Sequence, residues 1–278
     1  MEKIDFFQRT IHAPQKARIP QIGHRKLTHK LPVFIDISRN RRIILGMGND
    51  MRDHIVIKMD RGIPFMDERL VDLRSSKNRE ARIKVMQGHF ATQNSHINTY
   101  IDMSTVKCRQ NNAYVSAKAL AEEYMLTSSY DTIVCLDETE VIGAFLADEL
   151  SHSYKSGLSY GNNISVITPE VNSMGQMIFR DNKIRMVEGM RVLILTDSIT
   201  SGKTILQAID SVIYYGGQVC GIAAIFSAVS KCAGIEVKSI FSVSDVPNYG
   251  YYSRDNCPMC AAGQKLEALV NGFGYSKL

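Results

Sequence analysis

The sequence predicts an α/β fold with a central parallel sheet flanked by helices, and three observations carry that expectation. Short, almost wholly apolar runs recur at Thr132–Leu136, Ile164–Ile167, Val192–Leu195 and Gln218–Phe226, as strands buried on both faces require. Helical spacing follows several of them: Val141–Ala147 after the first, and Ile205, Leu206, Ile209, Val212 and Ile213 after the third. Polar loops rich in small or acidic residues separate strand from helix. In a βαβ sheet those loops gather at the carboxyl ends of the strands, where ligands bind.

At 278 residues, one core of roughly 200 residues with an extension is expected. We place the boundary between an N-terminal extension, 1–78, and a main domain, 79–278. Apolar content of 45% with 22% charged residues is ordinary globular composition. No apolar run approaches the roughly 20 residues of a membrane span, and the charged start Met1–Asp5 does not resemble a signal peptide, so a cytoplasmic protein with no membrane partner is expected. The six scattered cysteines are expected to be reduced thiols. The net charge of +5 permits anionic ligands or RNA without demanding either.

In the extension, Pro14, Pro20, Pro32 and Pro64 interrupt any long helix, while Val33–Ile37, Arg42–Leu45 and His54–Ile57 read as short strands with a turn at Gly46–Asp50. Basic residues gather there, from Lys16 and Arg18 to Arg41 and Arg42. They fit an RNA surface or a solvated arm covering a subunit; the absence of interleaved aromatics favours the arm. His24 and His29 lack the companion spacing of a zinc site.

Arg79–Gln87 has a short helical pattern, and Gly88–Asp102 follows it as a polar loop and strand. Ala117–Tyr124 reads as a helix. The strand Thr132–Leu136 ends in Asp137-Glu138-Thr139-Glu140. That loop either meets a polyanion through a cation or caps the next helix with negative charge. Like charges about 4 Å apart repel by on the order of 4 kcal/mol at an effective dielectric near 20, so an anion there needs a counter-charge. Ile235–Val243 alternates like a less deeply buried strand or a helix edge. Cys257 and Cys260 form a single CxxC, which fits a tight turn, a zinc half-site or redox chemistry; without a second pair nearby, the turn is preferred and no metal ligand is assigned.

The most informative stretch is Arg191–Thr204. After Val192–Leu195 come Thr196 and Asp197, then Thr200-Ser201-Gly202-Lys203-Thr204 at the start of a helix. Helix-start N–H groups lack intrahelical partners and carry the positive end of the macrodipole, so a phosphate fits. An ordinary, well-capped βα turn has the same composition. Gly202-Lys203-Thr204 looks like the tail of a Walker A loop, but Asp197 stands where that motif needs glycine.

Arg191–Thr204 resembles the motif with which type I phosphoribosyltransferases bind 5-phosphoribosyl 1-diphosphate (PRPP), with Thr196 in place of the first acidic residue. Gly88-His89-Phe90 and Asn98-Thr99-Tyr100-Ile101-Asp102 are similar to a segment of orotate phosphoribosyltransferases, and Cys257–Gly263 to a tail in some of them. The resemblance implies the type I phosphoribosyltransferase fold, with an irregular, β-containing N-terminal extension and a small hood over the site.

It further implies a transferase acting on PRPP and a small-molecule base, most simply a pyrimidine such as orotate, with Mg²⁺, in a homodimer. Thr200, Ser201, Gly202, Lys203 and Thr204 would hold the 5′-phosphate, Thr196 and Asp197 the ribose, and Asp137, Glu138, Thr139 and Glu140 would face the diphosphate. The catalytic residues are not assigned. The family's flexible loop is rich in Lys and His, whereas Thr168–Gln176 has neither, leaving Arg180, Lys183 and Arg185 as substitutes. A non-catalytic sensor of PRPP or a nucleotide on the same fold is the alternative.

Overall fold

A computed structural model describes residues 68–172 and 175–278, together with three N-terminal strands. The chain divides into two compact units, Met1–Phe65 and Met66–Leu278. In the first, β1 (Val33–Ser38), β2 (Arg41–Gly46) and β3 (Val56–Asp60) form an antiparallel sheet in the order β1-β2-β3. The basic residues Lys16 to Lys30, with His24 and His29, lie outside the described residues.

The second unit begins with β4 (Val71–Arg74), β5 (Arg82–Ala91) and β6 (His96–Asp102), followed by α1 (Ser104–Cys108) and α2 (Gln110–Tyr124). Then come β7 (Thr132–Cys135), α3 (Glu140–Asp148), β8 (Ser165–Ile167), β9 (Glu170–Val171), β10 (Met177–Ile178) and α4 (Asp181–Ile184). The chain continues through β11 (Arg191–Ile199), α5 (Lys203–Tyr214), β12 (Gln218–Ser227), β13 (Lys231–Cys232), β14 (Ile235–Ser242), β15 (Tyr251–Tyr252), α6 (Pro258–Ala261), β16 (Ala268–Asn271) and β17 (Gly274–Lys277). Because β4 pairs with β5, the division falls before β4, whereas the sequence boundary lay after it.

Two sheets organise this unit. The main one runs β13-β14-β12-β11-β7-β8, and all its pairings are parallel except that of the edge strand β13. Alternate side chains of its central strands enter two separate cores. Leu193 and Leu195 join Ile133, Cys135, Ala223 and the α2 residues Ala113, Ala117, Leu120, Ala121 and Tyr124, which share one helical face. Val192 and Ile194 join Val134, Ile222, Ala224 and the α5 residues Ile205, Ala208, Ile209 and Val212. Both faces are therefore covered, as the continuous apolar runs predicted. Leu206 and Ile213, included in the expected α5 stripe, point outward and are exposed.

The second sheet runs β15-β6-β5-β16-β17, with β4 added on β5, and has its own small core of Met86, Phe90, Ile97, Tyr100, Ala268 and Val270. It forms the hood. Here the helical reading of Arg79–Gln87 is overturned. Its residues favour helix, but Ile83 and Val85 bury alternately while β5 pairs antiparallel with β4 and β6, and cross-strand packing overrides local propensity. Among the described residues, no helix is long and apolar enough to cross a membrane.

Candidate active site

The order β14-β12-β11-β7-β8 reverses direction between β7 and β11, so the loops leaving those two strands diverge on opposite sides. Such a switch point leaves a crevice at the strands' carboxyl ends. The two loops that border it are the ones singled out from sequence: Asp137–Glu140 after β7 and Thr200–Thr204 after β11.

Gly202 adopts the left-handed conformation at φ 79° immediately before α5, where a β-carbon would lie 2.9 Å from the Cys232 sulfur. The first N–H groups of the 12-residue helix have no intrahelical partner and no side-chain cap at Gly202, and Ser201, Lys203 and Thr204 are exposed beside them. The Thr200 hydroxyl lies 3.3 Å from the Tyr249 hydroxyl. All five residues of the expected phosphate cradle thus form one helix-start loop.

The expected ribose residues are differently disposed. Thr196 and Asp197 still belong to β11 and are buried. Thr196 Oγ1 donates to Asp137 Oδ2 at 2.8 Å, and Asp197 accepts from Ser198 Oγ at 3.0 Å and from Lys107 Nζ at 3.1 Å. Burial, and next the carboxylate of Asp137, push the Asp197 carboxyl up to about 6, against the pull of Lys107.

Lys107 was not anticipated. From α1 its ammonium, 3% exposed, also donates to the carbonyl oxygens of Asp137 (2.8 Å) and Gly272, and lies 3.8 Å from Glu138 Oε2. It supplies the counter-charge that the acidic loop requires. Its only sequence signal is that it follows closely after Tyr100-Ile101-Asp102, and only the fold closes the remaining distance.

In the acidic loop, Asp137 and Glu138 have φ of 52° and 61°, a conformation costing on the order of 1–2 kcal/mol per residue outside glycine. Neither caps α3: the cap position is Thr139, which makes no side-chain capping bond. Thr139 is instead buried, donating to Leu136 O at 2.8 Å, and Glu140 accepts from Thr168 Oγ1 at 2.7 Å. Of the substitute cations, Arg180 is held by Glu170 in two bonds of 2.7 Å, and Lys183 donates to Thr168 O at 3.0 Å. Arg185 is exposed.

The donor set does not suit a resident Mg²⁺, because Asp197 and Asp137 are already engaged and Lys107 supplies the positive charge. It suits Mg²⁺ carried on a diphosphate, where substrate oxygens and water supply most ligands and the half-exposed Glu138 carboxylate can add one.

The CxxC reading changes as well. Sequence spacing offered Cys257 and Cys260 no second pair of ligands, yet in the hood His89 and His96 lie beside them, all four ligand atoms within 4.8 Å of one another.

Parallel sheet, switch-point crevice and helix-start cradle define a nucleotide- or sugar-phosphate-binding α/β protein. The model of the phosphoribosyl transferase domain family matches residues 109–248, half of the chain, and the chain belongs to that family. An orotate phosphoribosyltransferase of Desulforamulus reducens is 26% identical over 182 residues, covering 64% of this chain and 86% of its own. The solved structure of Mycobacterium tuberculosis orotate phosphoribosyltransferase with PRPP is 18% identical, with TM-score 0.40, covering 53% of this chain and 82% of that one. For Trypanosoma brucei adenine phosphoribosyl transferase with AMP, pyrophosphate and ribose-5-phosphate the values are 14% and 0.40, with 58% and 74% covered.

Proposed function

We propose that this chain moves the 5-phosphoribosyl group between PRPP and a nitrogenous base, a pyrimidine such as orotate. The observation that carries the reading is the pairing, across one crevice, of the Thr200–Thr204 helix-start loop with an acidic loop neutralised by Lys107. The cradle's amides and hydroxyls hold the 5′-phosphate. Lys107 offsets the loop carboxylates, so that a diphosphate accompanied by Mg²⁺ can approach them. In this reading Asp197 serves the ribose hydroxyls, while the Thr196 hydroxyl holds Asp137. The orotate phosphoribosyltransferase relatives support the choice of base. The reading also includes a homodimer.

A second reading is favoured by the engaged state of Arg180 and Lys183 and the absence of Lys and His from Thr168–Gln176: a sensor that binds PRPP or a nucleotide without turnover. Incubating the protein with PRPP, Mg²⁺ and a panel of pyrimidine and purine bases, and measuring diphosphate, separates the two. Diphosphate release with orotate supports the first. If every base is inert while PRPP still raises the Tm by mass action, the enzyme reading is overturned and the sensor stands.

A further inference from the structure

We propose that the hood is built around a structural zinc ion held by His89 Nε2, His96 Nδ1, Cys257 Sγ and Cys260 Sγ. Four of the six ligand–ligand distances are close to tetrahedral edges, and all four ligand atoms lie within 4.8 Å of one another. With Zn–N of about 2.0–2.1 Å and Zn–S of about 2.3 Å, tetrahedral edges come to about 3.3 Å for N···N and about 3.5 Å for N···S. His89 Nε2 and His96 Nδ1 are 3.1 Å apart. Cys257 Sγ and Cys260 Sγ lie 3.5 and 3.7 Å from His89 Nε2, and Cys260 Sγ lies 3.3 Å from His96 Nδ1.

Second-sphere geometry agrees. His89 Nδ1 sits 2.8 Å from Gln264 O, so it carries the proton and leaves the Nε2 lone pair turned into the cluster, the usual arrangement behind a metal-bound histidine. A register irregularity between Gln87 and Phe90 brings His89, fully buried, to that position. His96 and Cys257 are buried too, and Cys260 alone is exposed, giving an entry path. Two thiolates and two neutral imidazoles around Zn²⁺ carry no net charge, so the centre can be buried without an uncompensated ion. Four protein ligands close the site and mark it as structural; a tetrahedral S₂N₂ set selects zinc.

The hood needs such a staple. Its C-terminal part joins the β5–β6 hairpin through only two register pairs on each side, Ala268↔Phe90 and Leu269↔Ala91 at β16, Tyr251↔Ile97 and Tyr252↔His96 at β15. The four ligands sit across those two short joints. The β16–β17 turn that the staple supports brings Gly272 O to Lys107.

The test is metal analysis of the full chain purified under reducing conditions without chelator. One zinc per chain is expected, released when the thiols are titrated with an organomercurial. Replacement by Co²⁺ should give the intense visible bands of a tetrahedral thiolate site. Cys260→Ser and His96→Gln should lose the zinc, while Cys108→Ser, in an exposed cysteine elsewhere, should keep it. Should the ligand variants fail to fold, the cobalt spectrum of the unmodified chain decides. Zinc-free protein that shows no cobalt spectrum and no rise in Tm with added Zn²⁺ overturns the proposal, as does a Cys257–Cys260 disulfide in protein that takes up no metal.

Discussion

The Lys107 ammonium donates to Asp197 Oδ2 at 3.1 Å across 90 positions of sequence, and both side chains are almost completely shielded from water. A buried pair of this kind contributes little net stability, but removing one member leaves the other charge uncompensated. Lys107→Met is therefore expected to cost about 3–5 kcal/mol in urea unfolding and to abolish the rise in Tm caused by PRPP. A loss below about 1 kcal/mol would show that the two charges do not depend on one another.

The raised Asp197 carboxyl has a defined sign for stability against pH. Between its ordinary value of 3.8 and about 6, the folded chain holds the proton and the unfolded chain does not. This contribution is full below the lower value and is lost as pH rises through the upper one. The stability of the parent minus that of Asp197→Asn should accordingly fall from about pH 4 to about pH 6, read by urea unfolding at several pH values. A difference that is flat or rises with pH contradicts the burial-driven shift.

Gly202→Ala is expected to separate phosphate binding from folding. The left-handed backbone at φ 79° and the 2.9 Å approach to Cys232 both oppose a β-carbon, at a cost of about 1–2 kcal/mol. The protein should still fold, while the shift in Tm produced by PRPP should shrink several-fold. An unchanged shift would place the 5′-phosphate elsewhere.

At the opposite end of the sheet, Arg191 clamps Asp131 by bonds of 2.8 and 2.6 Å, joining β11 to the start of β7 and holding the Asp131 carboxyl below the usual carboxylate range. Asp131→Asn should cost about 1–2 kcal/mol, discounted because both side chains are partly exposed. Because this clamp lies at the amino ends of the strands, the response to PRPP measured by thermal shift should be unaffected.

Most of the main sheet was legible in the order of residues, because a strand covered on both faces must be apolar at every position. Val192–Leu195 and Thr132–Leu136 declare themselves in that way, and Gly202 before an apolar helical stripe declares the helix-start loop. Arg79–Gln87 was misread as helical, since the strand Arg82–Ala91 that contains most of it is defined by its partners β4 and β6 and hardly by its own propensities.

By itself, then, the sequence determined the parallel α/β core, the loop Thr200–Thr204 and the family resemblance, all of which rest on local pattern. Only the tertiary structure decided that Lys107 lies within reach of Asp137, Glu138 and Asp197, that Thr196 and Asp197 are buried, and that His89 and His96 meet Cys257 and Cys260. The physical reason is the same in each case. Charge compensation and metal-ligand geometry act through space over a few ångströms, whereas the fold brings Lys107 to Asp137 and Asp197 across 30 and 90 positions, and His96 to Cys260 across 164.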